Sequence, residues 1–130
     1  MHKFKVEKLV RDKIAEEMIA SENAGHRVLN DKDYINELKK KILEEAKELL
    51  PVKDRDKIVK ELADIQEVID SLIKALKSSK QELKDKQKRE NKKSGAFKKR
   101  LYIETVELAD DHPWLDYYLK NPDKYPKIKE

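Results

Sequence analysis

Apolar residues recur at three- and four-residue intervals through most of the chain, the period of amphipathic helices. Ile14, Met18 and Ile19 share one face of a segment from about Val10 to Ala24, with Gly25 as its stop signal. A second segment starts near Asp31 or Asp33, either of which can cap it, and ends before Pro51. A third begins after Asp54 or Asp56, carries the densest apolar pattern and runs to about Ser78, which makes it the central core helix. Ser79-x-x-Glu82 reads as a capping box for a fourth, Lys80 to about Lys93, with few apolar residues beyond Leu83. Ser94-Gly95-Ala96 breaks it. Leu101, Ile103 and Thr105 then alternate with polar residues, which permits a short strand or an extended arm. His112-Pro113-Trp114 begins a short C-terminal helix that Asn121-Pro122 stops, and the tail from Asp123 is expected to be mobile. The predicted fold is all-α: an antiparallel bundle of four main helices plus that short one.

Pro51 and the polar run 53–57 separate the second and third segments, and a connection this short favours antiparallel neighbours. Two carboxylate pairs flank this turn: Glu45-x-x-Glu48 before it, Glu61-x-x-Asp64 after it. Spacing of i, i+3 puts both members of a pair on one helix face. At about 100° per residue, with Ile42 as origin, Ile35, Leu38, Ala46, Leu49 and Leu50 fall within roughly 80° of it. Glu45 and Glu48 then lie at about 300° and 240°, while Glu44, at about 200°, points almost opposite the stripe. With Ile58 as origin, Leu62, Ile65, Ile69, Leu72, Ile73 and Leu76 form the second stripe, and Glu61 and Asp64 also come out at about 300° and 240°. Equal offsets on antiparallel helices land on the same side of the seam, so four carboxylates converge into a cage of hard oxygen ligands that suits Mg²⁺. The alternative is a solvated helix face, since Glu is a strong helix former and Lys41, Lys57 and Lys60 stand nearby.

Composition narrows the field. A chain of 130 residues is expected to form one domain, and it has no cysteine, so neither a disulfide framework nor a thiolate zinc site is available. No apolar run approaches a membrane span and no secretory h-region appears, which predicts a cytoplasmic protein without a membrane partner. Charged residues make up 45% of the chain yet the net charge is only +4. Without cysteine, and with His2, His26 and His112 outside the carboxylate segments, the sequence offers no nucleophile–base pair for covalent catalysis.

Three segments taken together carry a resemblance: Lys8-Leu9-Val10-Arg11-Asp12-Lys13-Ile14, Glu44-Glu45-Ala46-Lys47-Glu48 and Glu61-Leu62-Ala63-Asp64. They resemble the signatures of the all-α nucleoside triphosphate pyrophosphohydrolases, the superfamily of MazG, and the opening segment is similar to its compact phosphoribosyl-ATP pyrophosphohydrolase-like branch. The resemblance covers about 4–108 and leaves 109–130 as an extension, within a single MazG-like domain spanning 1–130. It implies metal ligation by Glu45, Glu48, Glu61 and Asp64, with Mg²⁺ as cofactor and Mn²⁺ as a substitute. It implies triphosphate contacts from Lys8, Arg11 and Lys13, and catalytic work by Glu48, or by Glu44 in orienting a ligand or water. Lys92-Lys93-Ser94-Gly95-Ala96-Phe97 matches a family segment usually richer in glycine, with Ser94 and Ala96 as departures; Lys86 and Lys93 are the phosphate candidates there. Ala15 stands where relatives commonly have proline.

The expected activity is metal-dependent hydrolysis of a nucleoside triphosphate to nucleoside monophosphate and pyrophosphate, of the house-cleaning type, by a homodimer or homotetramer. Two rivals follow from the residues. Lys77 to Arg100 carries eleven basic residues against Glu82, Asp85 and Glu90, a stripe able to track a nucleic-acid backbone. Its only aromatic is Phe97 and it holds no DNA- or RNA-reading motif, which argues against nucleic acid as a partner. A non-catalytic nucleotide sensor has no need of all four carboxylates.

Overall fold

Five helices and no strand form among the described residues, which in this computed structural model are 1–129. They are α1 (Asp12–Ser21), α2 (Asp31–Leu49), α3 (Arg55–Ala75), α4 (Lys80–Ser94) and α5 (Leu115–Leu119). Residues 101–105, where the alternating pattern permitted a strand, form no regular element, because no second strand offers the backbone a ladder. No helix among the described residues is long and apolar enough to cross a membrane.

The helix ends follow from single side chains. Neither Asp31 nor Asp33 caps α2; Asn30 does, its Oδ1 accepting from the Asp33 amide at 2.8 Å. Asp54 rather than Asp56 caps α3, accepting from the Lys57 amide at 3.1 Å. Ser79 Oγ accepts from the Glu82 amide at 3.1 Å, half of the expected capping box. Gly25 is not the stop of α1, which ends four residues earlier, where Asn23 takes up φ 50°. After α3, Lys77 stands at φ 58° and the Ser78 amide donates to the Ile73 carbonyl at 3.0 Å, a Schellman closure built on a non-glycine residue. Gly95, at φ 83°, follows the end of α4.

The chain divides into two compact units, 1–94 and 95–130. In the first, α2 and α3 pack along their length as the hairpin that Pro51 and the short turn predicted. Its core is small: Leu38 on α2 and Val68 on α3 are the buried hydrophobic residues. Taking the angular origins used above, Leu38 and Val68 lie at about 320° and 280°, so both faces that meet are turned from the aliphatic stripe toward the carboxylate side. Leu62 and Leu76 of the α3 stripe, and Leu43 and Val59 just past the edges of the two stripes, are each about half exposed or more, and Leu50, in the turn, is 84% exposed. α4 is exposed along its whole length and, among the helices of the described residues, touches only α3.

In the second unit, Tyr117, Tyr118 and Tyr125 form a cluster with ring centroids 4.8–5.7 Å apart, and Trp114 stacks edge-on to Tyr117 at 5.5 Å. The tail is held there at Tyr125, whose amide also donates to the Asn121 carbonyl at 2.8 Å.

Candidate metal and phosphate site

Because the faces of α2 and α3 that meet are turned toward the carboxylates, Glu45, Glu61 and Asp64 lie in the seam rather than beside it. One carboxylate oxygen from each lies within 4.8 Å of the other two, and all three side chains are largely covered. Oε2 of Glu45 and Oε2 of Glu61 are buried without a hydrogen-bond partner. Such atoms cost free energy unless something meets them. Hard anionic oxygens at this spacing fit Mg²⁺ or Mn²⁺. Glu48 lies outside the group of three: it is exposed and lines the adjoining cavity, and its charge bears on Glu45.

Electrostatics divide the cluster. Burial, then the neighbouring Glu48 charge, pushes the Glu45 carboxyl above its ordinary pKa. Asp64 is held below its own, first by a hydrogen bond from Lys60 at 2.7 Å and further by Arg11 at 2.9 Å. Lys60 is correspondingly raised by Asp64. Glu44 is not turned out to water, as its helical angle suggested. It accepts from Lys8 Nζ at 2.9 Å and Lys41 Nζ at 3.0 Å, and the Lys8 bond keeps its pKa low. The same bond raises Lys8. Arithmetic on α2 alone missed this because the partner comes from the segment preceding α1, which crosses over the hairpin.

Two of the three basic residues of the opening segment, Lys8 and Arg11, are therefore joined to acidic residues of the α2–α3 hairpin. Lys13 is exposed on α1, does not line the cavity and makes no ion pair among the described residues. Lys86 and Lys93 are exposed on α4 and likewise do not line it. The cavity beside the carboxylates has a volume of about 440 Å³ and also receives Lys41, Lys60 and Tyr34. The sequence reading treated Lys41 and Lys60 as solvated charges. Their four-residue spacing to Glu45 and Asp64 was the available signal, and only the hairpin reveals that these pairs face the seam. No protein-family model, curated protein or solved structure matches the chain.

Proposed function

We propose that this chain is a metal-dependent nucleoside triphosphate pyrophosphohydrolase of the all-α, MazG-like type, releasing nucleoside monophosphate and pyrophosphate. The observation that carries this reading is the meeting of Glu45, Glu61 and Asp64, two of whose oxygens are buried and unpartnered, beside Arg11, Lys41 and Lys60. Acid in the seam and base around it suit a cation held on one side and a polyphosphate on the other. The three-part motif resemblance supports the same reading.

Glu45, Glu61 and Asp64 would hold Mg²⁺ or Mn²⁺, with Glu48 as the fourth ligand or as the base that takes a proton from the attacking water. Such an ion would neutralise phosphate charge and lower the pKa of water. Arg11 binds phosphate oxygens through its guanidinium fork once released from Asp64, and Lys60 stabilises the charge that grows on the departing pyrophosphate. Glu44 keeps Lys8 pointed at the hairpin, a positioning role. Water adds to the α-phosphorus, the bond to the bridging oxygen of the leaving pyrophosphate breaks, and the proton passes to Glu48 or solvent. The exposed aliphatic residues Leu43, Val59, Leu62 and Leu76 on the hairpin support a homodimer or homotetramer as part of this reading.

Pyrophosphate release from ribo-, deoxyribo- and altered nucleoside triphosphates tests it, run with Mg²⁺, with Mn²⁺ and with EDTA. Release that needs the metal and disappears in Glu48→Ala and Asp64→Ala is expected. Full activity in both variants sinks the assignment. The exposed basic α4 favours nucleic-acid binding as the second reading. Tight, steeply salt-dependent binding to duplex or single strands without hydrolysis would put that reading first.

A further inference from the structure

The segment that leads from α4 toward α5 is divided by charge. Lys98, Lys99 and Arg100 stand at one end of it, Glu107, Asp110 and Asp111 at the other. None of the six makes an ion pair among the described residues. Between them, 101–109 runs without helix, turn or bend. Residues 101–108 make no backbone–backbone hydrogen bond among the described residues. Leu101, Tyr102 and Ile103 are 73–86% exposed, and Val106 is half exposed. No glycine or proline interrupts 96–112, and Tyr102, Ile103, Thr105 and Val106 are residues that favour strands. Unpaired backbone beside exposed apolar side chains is a strand edge open to another chain.

We propose that 101–109 is a strand by which two copies of this chain join, paired antiparallel about a two-fold axis at Thr105. The charges select this occupant. Antiparallel pairing sets the basic end of each copy against the acidic end of the other, whereas parallel pairing sets like against like. The charges also select the register. With Thr105 opposite itself, Arg100 of one copy faces Asp110 of the other, Lys99 faces Asp111, and Tyr102 faces Leu108. With Glu104 opposite itself, two carboxylates meet at the axis and only Lys98 finds an acid; with Ile103 opposite itself, only Lys99 does. A two-stranded ribbon is marginal by itself, so the contact is weak, and its charged ends rather than its buried area fix the register. It shares no residue with the carboxylate site or with the exposed aliphatic surface of the hairpin. It therefore stands whether or not the chain hydrolyses triphosphates.

Thiol cross-linking of the full chain tests this, since the chain has no cysteine of its own. Opposed residues in an antiparallel pair have Cα atoms about 4.5–5.5 Å apart, within disulfide reach, and four positions along a strand add about 13 Å. Under mild oxidation at high micromolar concentration, Thr105→Cys is expected to form a covalent dimer. Ile103→Cys and Glu107→Cys each stay monomeric alone, and an equimolar mixture of the two links into a mixed dimer. Adding Lys99→Glu and Arg100→Glu to Thr105→Cys is expected to cut the dimer yield by about tenfold, and adding Asp110→Lys and Asp111→Lys as well restores it. A Thr105→Cys chain that stays monomeric overturns the proposal. So does self-linking of Ile103→Cys as fast as that of Thr105→Cys, which marks random collision or another register. Charge reversal that leaves the yield unchanged, or a loss that the second reversal does not rescue, overturns it too.

Discussion

Glu45 and Asp64 stand in one cluster and titrate in opposite directions, so their variants should separate stability from function. Burial and Glu48 raise the Glu45 carboxyl, so the folded state favours its protonated form and pays as pH climbs through and above the ordinary carboxylate range. At neutral pH in EDTA, Glu45→Gln is expected to raise Tm by a few degrees; Mg²⁺ is expected to raise the wild type's Tm further but not the variant's. Asp64, lowered by Lys60 and Arg11, contributes stability at neutral pH that is lost as pH falls through its folded pKa. Asp64→Asn should therefore lower Tm in EDTA and lose the Mg²⁺ response as well. Thermal denaturation with and without metal checks both, and equal shifts of the same sign would contradict this division. At this scale the sequence was informative about identity and poor about environment. The i, i+3 pairs single out Glu45, Glu48, Glu61 and Asp64, of which the structure brings three together and leaves Glu48 outside. Nothing in the spacing showed that Lys8 reaches Glu44, or that Arg11 reaches Asp64, because those contacts join residues 36 and 53 positions apart.

Helix existence was legible because the apolar periodicity of α2 and α3 is dense, and helix ends were less so. Asn30 outcompetes the neighbouring aspartates as a cap through geometry that a list of good capping residues does not distinguish. Asn30→Ala is expected to cost about 1 kcal/mol. Lys77 carries the opposite opportunity. Its left-handed backbone strains a side-chain-bearing residue, so Lys77→Gly should stabilise the chain by about 0.5–1 kcal/mol despite glycine's larger entropy in the unfolded state. Urea denaturation of the two variants tests the assignments, and a neutral or destabilising Lys77→Gly would remove the Schellman closure from the explanation of where α3 ends. The strand permitted at 101–105 failed for a different reason: alternation specifies which side chains share a face, while a strand also needs a partner for its backbone.

A hairpin whose buried apolar residues, among the described residues, are Leu38 and Val68 has little core to hold it, and Leu43, Val59 and Leu62 on its surface are about half exposed. The helical arithmetic assumed that the two stripes meet centre to centre. They meet off-centre, which draws the carboxylates into the seam and frees Leu43, Val59 and Leu62 for a further surface. Self-association through that surface predicts a sedimentation coefficient above that of the monomer for the wild type, and a shift toward monomer in the Leu43→Lys, Val59→Lys double variant. A monomeric wild type at micromolar concentration contradicts it. The assignment of chemistry to the whole protein meets its most direct test in the ³¹P spectrum of a nucleoside triphosphate incubated with the wild-type chain and Mg²⁺, beside the same mixture in EDTA. Nucleoside monophosphate and pyrophosphate, formed together and only with the metal present, are the predicted products. Nucleoside diphosphate with phosphate, turnover that persists in EDTA, or an unchanged spectrum for every triphosphate offered contradicts a pyrophosphohydrolase built on Glu45, Glu61 and Asp64.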